Sequence, residues 1–465
     1  MDGTDGVLEA DTIVALATAP GRGALAVIRM SGPASIRILR AVAPGWEGEE
    51  APRRARPTRI EGPDGGELLD RAVVTVFPGP GSYTGEDLVE ISTHGGALVP
   101  TLVQEALERA GARPARPGEF TQRAYLHGKL DLLQAEAIRD LVEAKSRALH
   151  RAAIHQVEGG LSNRIALIRE RLIGLEALLV HHLDFPDEDD PPVPMEEIVR
   201  AGAEVRDALE VLLSTAPEGE LLRQGALTVL AGRPNSGKSS LFNALLGSER
   251  AIVTERPGTT RDALEAEVSF DGYPFRLVDT AGLRDPGDEI ESLGIEFARR
   301  YLRGADVVLL CVSSEWGWGA EENGFIGDLR EDQPVILVQT KSDLGEQGEA
   351  AAGEGGDRVR RRVEVSALDG TGLEPLRRVL TDLLFEGLIE AGGGQPLLTR
   401  RRQVEGVRAA RTEVAAFVAA LEEGVPAEMA STHLKPAKTA LEELLGVISP
   451  EEILDRVFAE FCIGK

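Results

Sequence analysis

The feature that most limits what this chain can fold into is Gly232-Arg233-Pro234-Asn235-Ser236-Gly237-Lys238-Ser239. Two glycines flank four residues and are followed by Lys and Ser, the phosphate-loop pattern. Its setting matches: Leu227 to Ala231 is an apolar run suited to a buried strand, and Leu241 to Leu246 continues as a helix. Glycines let backbone N–H groups turn inward around a polyphosphate, and the helix N-terminus adds its positive dipole end. Lys238 is placed to reach the outer phosphates and the Ser239 hydroxyl to ligate magnesium. The competing reading, a glycine-rich turn before an ordinary helix, loses ground to the motifs downstream.

Those motifs arrive in the order a GTPase requires. Gly258-Thr259-Thr260-Arg261-Asp262 offers Thr260 to complete a magnesium shell once a γ-phosphate is present. Asp279-Thr280-Ala281-Gly282 follows the apolar stretch Phe275 to Val278; Asp279 suits a water-mediated magnesium contact and Gly282 a backbone contact to the γ-phosphate. In Thr340-Lys341-Ser342-Asp343, Asp343 is placed to pair with guanine N–H groups, which adenine cannot satisfy. Thr340 stands where the guanine motif usually has Asn. Ser366, Ala367 and Leu368 close the base pocket. The expected GTP or GDP contacts are therefore Asn235, Ser236, Gly237, Lys238, Ser239 and Ser240; Thr254, Glu255, Arg256, Pro257, Gly258, Thr259 and Thr260; Asp279, Thr280, Ala281 and Gly282; and the Thr340, Lys341, Ser342, Asp343 and Ser366, Ala367, Leu368 groups.

The residue after Gly282 bears on mechanism. Ras-type GTPases place there a Gln that orients the attacking water. Leu283 can do neither orienting nor polarising. Asn235 is a candidate ligand for a monovalent cation against the phosphates, supplying the charge an arginine finger otherwise brings; it also reads as a plain loop residue. Glu291, in an acidic segment, is a candidate to orient water after a closure step.

With 465 residues the chain has room for about three domains. A hydrophobic share of 42% and a charged share of 28% describe an ordinary globular protein. No apolar run approaches a membrane span, and the acidic, Gly-rich start lacks the order of a signal peptide. Cys311 and Cys462 are the two cysteines, which points to a reducing cytoplasm. A net charge of −26 opposes direct nucleic-acid binding, so an RNA role would lean on a more basic partner. An acidic proteome would give the same charge without functional meaning.

In order along the chain, the part to about Gly118 reads as mixed α/β: strands at Thr12 to Ala17, Leu25 to Met30 and Ala72 to Val76, and a helix at Leu98 to Ala110. Arg53, Arg54, Arg56 and Arg59 read as a solvated loop rather than an RNA patch. Helical periodicity runs from Leu130 to about Leu183 and again from Met195 to Leu213. The prolines and carboxylates of Phe185 to Pro192 between them read as an interhelical turn more than a metal site. Alternating strands and helices from Leu222 to Leu384 indicate a largely parallel sheet. Arg400 to Leu421 and Leu434 to Leu445 are helical, and Ser449-Pro450-Glu451-Glu452 reads as a Ser-capped helix start with Pro in the first turn. The expected architecture is multidomain α/β plus all-α: residues 1–120 an α+β domain, 121–221 and 385–465 a helical domain, and 222–384 an inserted Ras-like phosphate-loop GTPase domain.

Together, Asp11-Thr12-Ile13, Phe77 to Glu90, His94-Gly95-Gly96, Arg116 to Leu132, the nucleotide module and Phe461-Cys462-Ile463-Gly464-Lys465 resemble the tRNA-modification GTPase family MnmE, also called TrmE. The resemblance spans nearly the whole chain. It implies an N-terminal domain that dimerises into a homodimer and binds 5-formyltetrahydrofolate or a related one-carbon folate through residues matching Arg29, Glu90, Lys129 and Lys465. It implies Mg2+ at Ser239 and Thr260, and K+ at Asn235, Thr254, Arg256 and Thr259. Glu291 falls on the water-orienting Glu, joining Asn235 and Lys238 as catalytic candidates. The family works as a heterotetramer with the FAD/NADH-dependent partner MnmG, adding an aminomethyl or carboxymethylaminomethyl group to C5 of the wobble uridine of certain tRNAs. Cys462 reads either as a redox thiolate or as a small buried side chain at a domain contact. Two other functions compete: a ribosome-assembly GTPase switch, and a folate-binding module whose nucleotide site is only structural.

Overall fold

The computed structural model describes residues 11–46, 52–63, 65–184, 193–247, 265–280, 299–327, 329–344, 358–390, 392, 394–448 and 450–465. The chain divides into two compact units, Met1–Arg139 with Glu442–Lys465, and Asp140–Leu441.

The first unit is built on a six-stranded sheet of β1 (Ile13–Leu16), β2 (Leu25–Ser31), β3 (Arg56–Glu61), β4 (Leu68–Phe77), β5 (Leu88–His94) and β6 (Arg113–Pro114). Their order is β3-β4-β5-β2-β1-β6, antiparallel apart from the β1–β6 pair. Alternation sends Ile28, Met30, Ala72, Val74, Val76, Val89 and Ile91 to one face. There the helices Ser35–Val42 and Leu98–Arg109 close the core with Ile38, Leu39, Val103 and Leu107. The same alternation leaves Arg29 and Glu90 on the other face. Arg56 and Arg59 lie on strand β3 rather than in a loop. Ile60 is its one fully buried residue, and Pro57 suits an edge strand, so the apolar signal there is weak. The helix Glu451–Ala459 begins with Pro450 at the cap position, not inside the first turn. Phe458 and Phe461 pack against Leu132 and Ala135, each ring contributing roughly 1.5–3 kcal/mol of burial to holding the chain end in place.

The second unit carries β7 (Ala226–Ala231), β8 (Glu265–Phe270), β9 (Tyr273–Asp279), β10 (Val307–Ser313), β11 (Val335–Thr340) and β12 (Val359–Val365). Their order is β12-β11-β10-β7-β9-β8, parallel except for the β8–β9 pair. Strands β7, β10 and β11 are buried along their whole length, as the continuous apolar runs require when both sheet faces are covered. One face packs on the helices Lys238–Gly247 and Leu373–Glu390 and continues into Ala148, Leu149 and Ala152 of the helix Arg147–Val157. The N–H of Ala148 donates to the Gly272 carbonyl at 2.9 Å, tying that helix to the β8–β9 turn. Long helices Gly160–Asp184, Met195–Leu213 and Arg401–Glu422 pack beside one another. A buried ion pair, Arg400 to Asp140 at 2.5 Å, joins two of the helical segments. Among the described residues no helix is long and apolar enough to cross a membrane. Residues 185–192, read as an interhelical turn, lie outside the described residues.

Candidate nucleotide and folate sites

The phosphate loop leaves the C-terminal end of β7, where parallel α/β sheets gather their ligand sites. Gly232, Asn235 and Gly237 have φ of 138°, 60° and 87°. A Cβ at Gly232 would lie 2.3 Å from the Cys311 carbonyl oxygen, so only glycine lets the loop pass β10. Lys238, 4% exposed, donates from Nζ to the carbonyls of Gly232 (2.9 Å) and Arg233 (2.6 Å), so its ammonium lies across the loop. The Ser239 hydroxyl donates to Asp279 Oδ2 at 2.6 Å. Two oxygens from separate motifs thus meet where the sequence puts a magnesium ligand and its water-linked carboxylate. Thr280 turns away, its hydroxyl donating to the Leu230 carbonyl.

Thr340 ends β11 and donates from Oγ1 to the Ser236 carbonyl at 2.5 Å. A hydroxyl therefore does the bridging between base loop and phosphate loop at this non-Asn position. Gly237, Ser240, Leu241, Thr340, Lys341, Asp343, Leu344, Val365, Ala367 and Leu368 line a cleft of about 260 Å³. Asp343 sits exposed on the short turn Ser342–Leu344, and Leu368 is 86% exposed at the cleft wall. Behind the loop, burial pushes the Cys311 thiol up to about 12, against the pull of Lys238, so it is an inert core residue. Residues 254–260, Ala281, Gly282, Leu283 and Glu291 lie outside the described residues.

In the first unit, β2 and β5 pair so that Arg29 stands directly across from Glu90. Arg29 donates from Nε (3.1 Å) and Nη2 (2.7 Å) to Glu90 Oε1. Its guanidinium lies 5.7 Å from the Tyr83 ring centroid and 5.8 Å from that of Phe120. Nη1 also reaches the Gly464 carbonyl at 3.4 Å, which brings the chain end to this face of the sheet. A Cβ at Gly464 (φ 91°) would lie 2.4 Å from the Leu16 carbonyl oxygen, so the tail fits only with glycine there. Lys129 donates to the Pro80 carbonyl at 2.9 Å, and the Lys465 N–H closes a turn on the Cys462 carbonyl at 3.3 Å. Cys462 is exposed, against its reading as a small buried side chain. Its neighbour Phe461 takes the buried place.

Sequence reasoning missed the ionic network beneath this face. Arg123, almost buried, meets Asp11 Oδ1 at 2.7 Å, Glu86 at 3.2 Å and Glu119 at 3.2 Å. Arg113 meets Asp11 and Glu119 at 2.7 Å each. Burial works to raise the Asp11 and Glu119 carboxyls, but the Arg113 and Arg123 contacts outweigh it and hold both below their ordinary range. Every member lies in or beside a stretch that carries the family resemblance. No spacing rule announces that two arginines and three carboxylates, up to 112 positions apart, converge.

The fold and the loop-bound Lys238, Ser239–Asp279 and Thr340 contacts define a phosphate-loop GTPase. Residues 12–129 match the family description "GTP-binding protein TrmE N-terminus", and residues 132–462 match "MnmE helical domain". The chain is 40% identical to the tRNA modification GTPase MnmE of Moorella thermoacetica, over 98% of this chain and 99% of the relative. It is also 40% identical to that of Salinibacter ruber, over 98% and 100%. Among solved structures, the G domain of the T. maritima FeoB iron transporter aligns with 34% of this chain and 97% of its own at 29% identity, with a TM-score of 0.26; the assignment rests on the sequence relatives. The chain belongs to the tRNA modification GTPase MnmE family.

Proposed function

We propose that this GTPase is one half of a folate-dependent tRNA-modifying complex. With an FAD- and NADH-dependent MnmG partner, it adds an aminomethyl or carboxymethylaminomethyl group to C5 of the wobble uridine of certain tRNAs. The observation that carries this reading is the pairing of Arg29 with Glu90 beside the Gly464 carbonyl, in a chain that also holds a GTPase site. An assembly GTPase without modifying activity has no use for that second constellation. The Glu90 carboxylate suits pterin N–H donors, and Arg29, Lys129 and Lys465 suit a glutamate tail. We assign dimerisation to residues 1–120, GTP turnover to 222–384, and coupling to the helices of 121–221 and 385–465, in a cytoplasmic protein.

In the nucleotide site, Lys238 shifts from loop carbonyls to the β- and γ-phosphates. The adjacent Ser239 hydroxyl and Asp279 carboxylate offer the hard oxygen donors that Mg2+ prefers. When bound, the metal supplies charge neutralisation at the phosphates being separated. Thr260 would add a further oxygen ligand to it. Asn235, with Thr254, Arg256 and Thr259, is assigned to K+. Glu291 orients the water that Leu283 cannot. Asp343 reads the guanine edge.

The test is mass spectrometry of tRNA nucleosides from cells lacking the gene, complemented with the parent chain or Lys238→Ala. Loss of wobble C5 modifications, restored by the parent alone, is the expected result. Their persistence in the deletion strain would move the function to an assembly switch.

A further inference from the structure

The segment that leaves β10 carries three carboxylates that no nucleotide motif contains, Glu315, Glu321 and Glu322; Glu321 is exposed and comes no nearer to Arg233 than 3.8 Å, while the other two are hydrogen-bonded. Both reach back to the nucleotide site. Glu322, 1% exposed in the helix Ala320–Gly327, receives Arg233 Nε on Oε1 at 2.7 Å and Nη2 on Oε2 at 2.5 Å. The Gly319 N–H adds a third bond to Oε2 at 2.9 Å. Arg233 is the second residue of the phosphate loop, and its carbonyl is one of the two that hold Lys238. The fork from guanidinium to carboxylate fixes direction as well as distance. A Cβ at Gly319 would lie 2.5 Å from Arg233 Nη2, so the arginine fills the space that a side chain would take.

At the other end of the segment, Glu315 Oε2 receives Lys341 Nζ at 2.7 Å and the Ser313 hydroxyl at 3.3 Å. The Lys341 ammonium also lies 5.3 Å from the centre of the Trp316 ring. Lys341 has a φ of 58°, a backbone conformation that lysine does not favour by itself. Its side chain belongs to the cleft wall beside Asp343. Pinning the ammonium to Glu315 and Trp316 leaves the aliphatic stem as the surface available to a flat base.

We propose that Glu315 and Glu322 are positioning residues of the nucleotide site. Glu315 sets the base loop through Lys341, and Glu322 sets the phosphate loop through Arg233. The assignment rests on the guanine-nucleotide reading of the site and names what in this chain holds its two halves in register.

The test uses the full chain, a fluorescent GDP analogue for equilibrium binding, and steady-state GTP turnover. Glu315→Gln should raise the GDP Kd and the GTP KM together, roughly 3- to 10-fold, with kcat unchanged, because uniform binding is lost. Glu315→Asp should recover part of the loss. Glu322→Gln should lower kcat as well, by about 10-fold, since the phosphate loop that carries Lys238 loses the contact that fixes Arg233. If that variant fails to fold, replacing both partners (Arg233→Met with Glu322→Met) removes the pair without orphaning the buried carboxylate and gives the same readout. Unchanged Kd in Glu315→Gln together with unchanged kcat/KM in the Glu322 variants overturns the proposal. So does a lowered melting temperature with parental GDP affinity, which marks both carboxylates as purely structural. Failure of the nucleotide-site reading itself shows in the parent chain, as absent GDP binding.

Discussion

The two sites are assembled in opposite ways. The nucleotide site is made of short contiguous motifs, each at the C-terminal end of a strand that pairs in parallel: Gly232–Ser239 after β7, Asp279 ending β9, Thr340 ending β11, Ser366 after β12. The face around Arg29 is made of single residues from β2, β5, the Tyr83 loop, the helix Glu119–Leu126 and the last residues of the chain. A parallel sheet places ligand-binding backbone at its strand ends, so the chemistry there can be written as local sequence. An antiparallel sheet offers side chains from its face instead, and these are neighbours only through register. The first site should therefore fail by loss of one residue's chemistry, the second by loss of the scaffold that brings distant residues together.

Lys238→Ala tests the first half of that contrast and has the largest expected effect. Nucleotide binding should disappear, with turnover down at least about 100-fold, while the melting temperature without nucleotide stays near the parent's. Normal hydrolysis by this variant would overturn the site assignment. Arg123→Ala tests the second half. It takes from Asp11, Glu86 and Glu119 the almost buried cation that all three share, leaving Asp11 and Glu119 to Arg113, and the cost should be about 3–5 kcal/mol in the first unit, read by urea denaturation. A loss under 1 kcal/mol would mean the network is screened and does not hold the scaffold.

The same network gives a pH signature with a defined sign. Asp11 and Glu119 are held below their ordinary range in the folded chain. Protons therefore bind the unfolded chain first, and the stability these carboxylates add is complete above about pH 5. It is lost as pH falls below about 4, through the depressed folded values. Stability of the first unit should drop over that range more steeply in the parent than in Arg123→Ala. Parallel slopes in the two proteins would assign the depression to Arg113 alone.

How much was legible follows from the same contrast. The strands β7, β10 and β11 announce themselves as unbroken apolar runs, and the helix Met195–Leu213 by its periodicity. The edge strand β3, with a single buried side chain, does not. Lys238, Ser239 and Asp279 could be named from local pattern because backbone geometry gives each motif its role. Glu315 and Glu322 could not, since nothing in Ser313 to Glu322 resembles a motif and their value comes from Lys341 and Arg233 on other strands' loops. Arg29, Glu90, Lys129 and Lys465 are folate candidates through family resemblance alone; by themselves the two lysines read as ordinary surface cations.

Deleting Lys465 is the mildest way to sharpen the comparison. The anchors of the tail remain: Phe461 stays buried, and Gly464 still fits against the Leu16 carbonyl. The fold should therefore be untouched, and GTP turnover should match the parent, because no residue of the nucleotide site is altered. What is lost is the cation that the proposed reading assigns to the folate, so binding of 5-formyltetrahydrofolate should weaken by roughly 10-fold, as expected for one charge-assisted contact. Isothermal titration with the folate and a GTP turnover assay on the same preparation separate the outcomes. Unchanged folate affinity would take Lys465 out of the site. A matching loss of GTP turnover would show that the two sites are not independent, and the division of labour drawn between local motif and distributed face would fail with it.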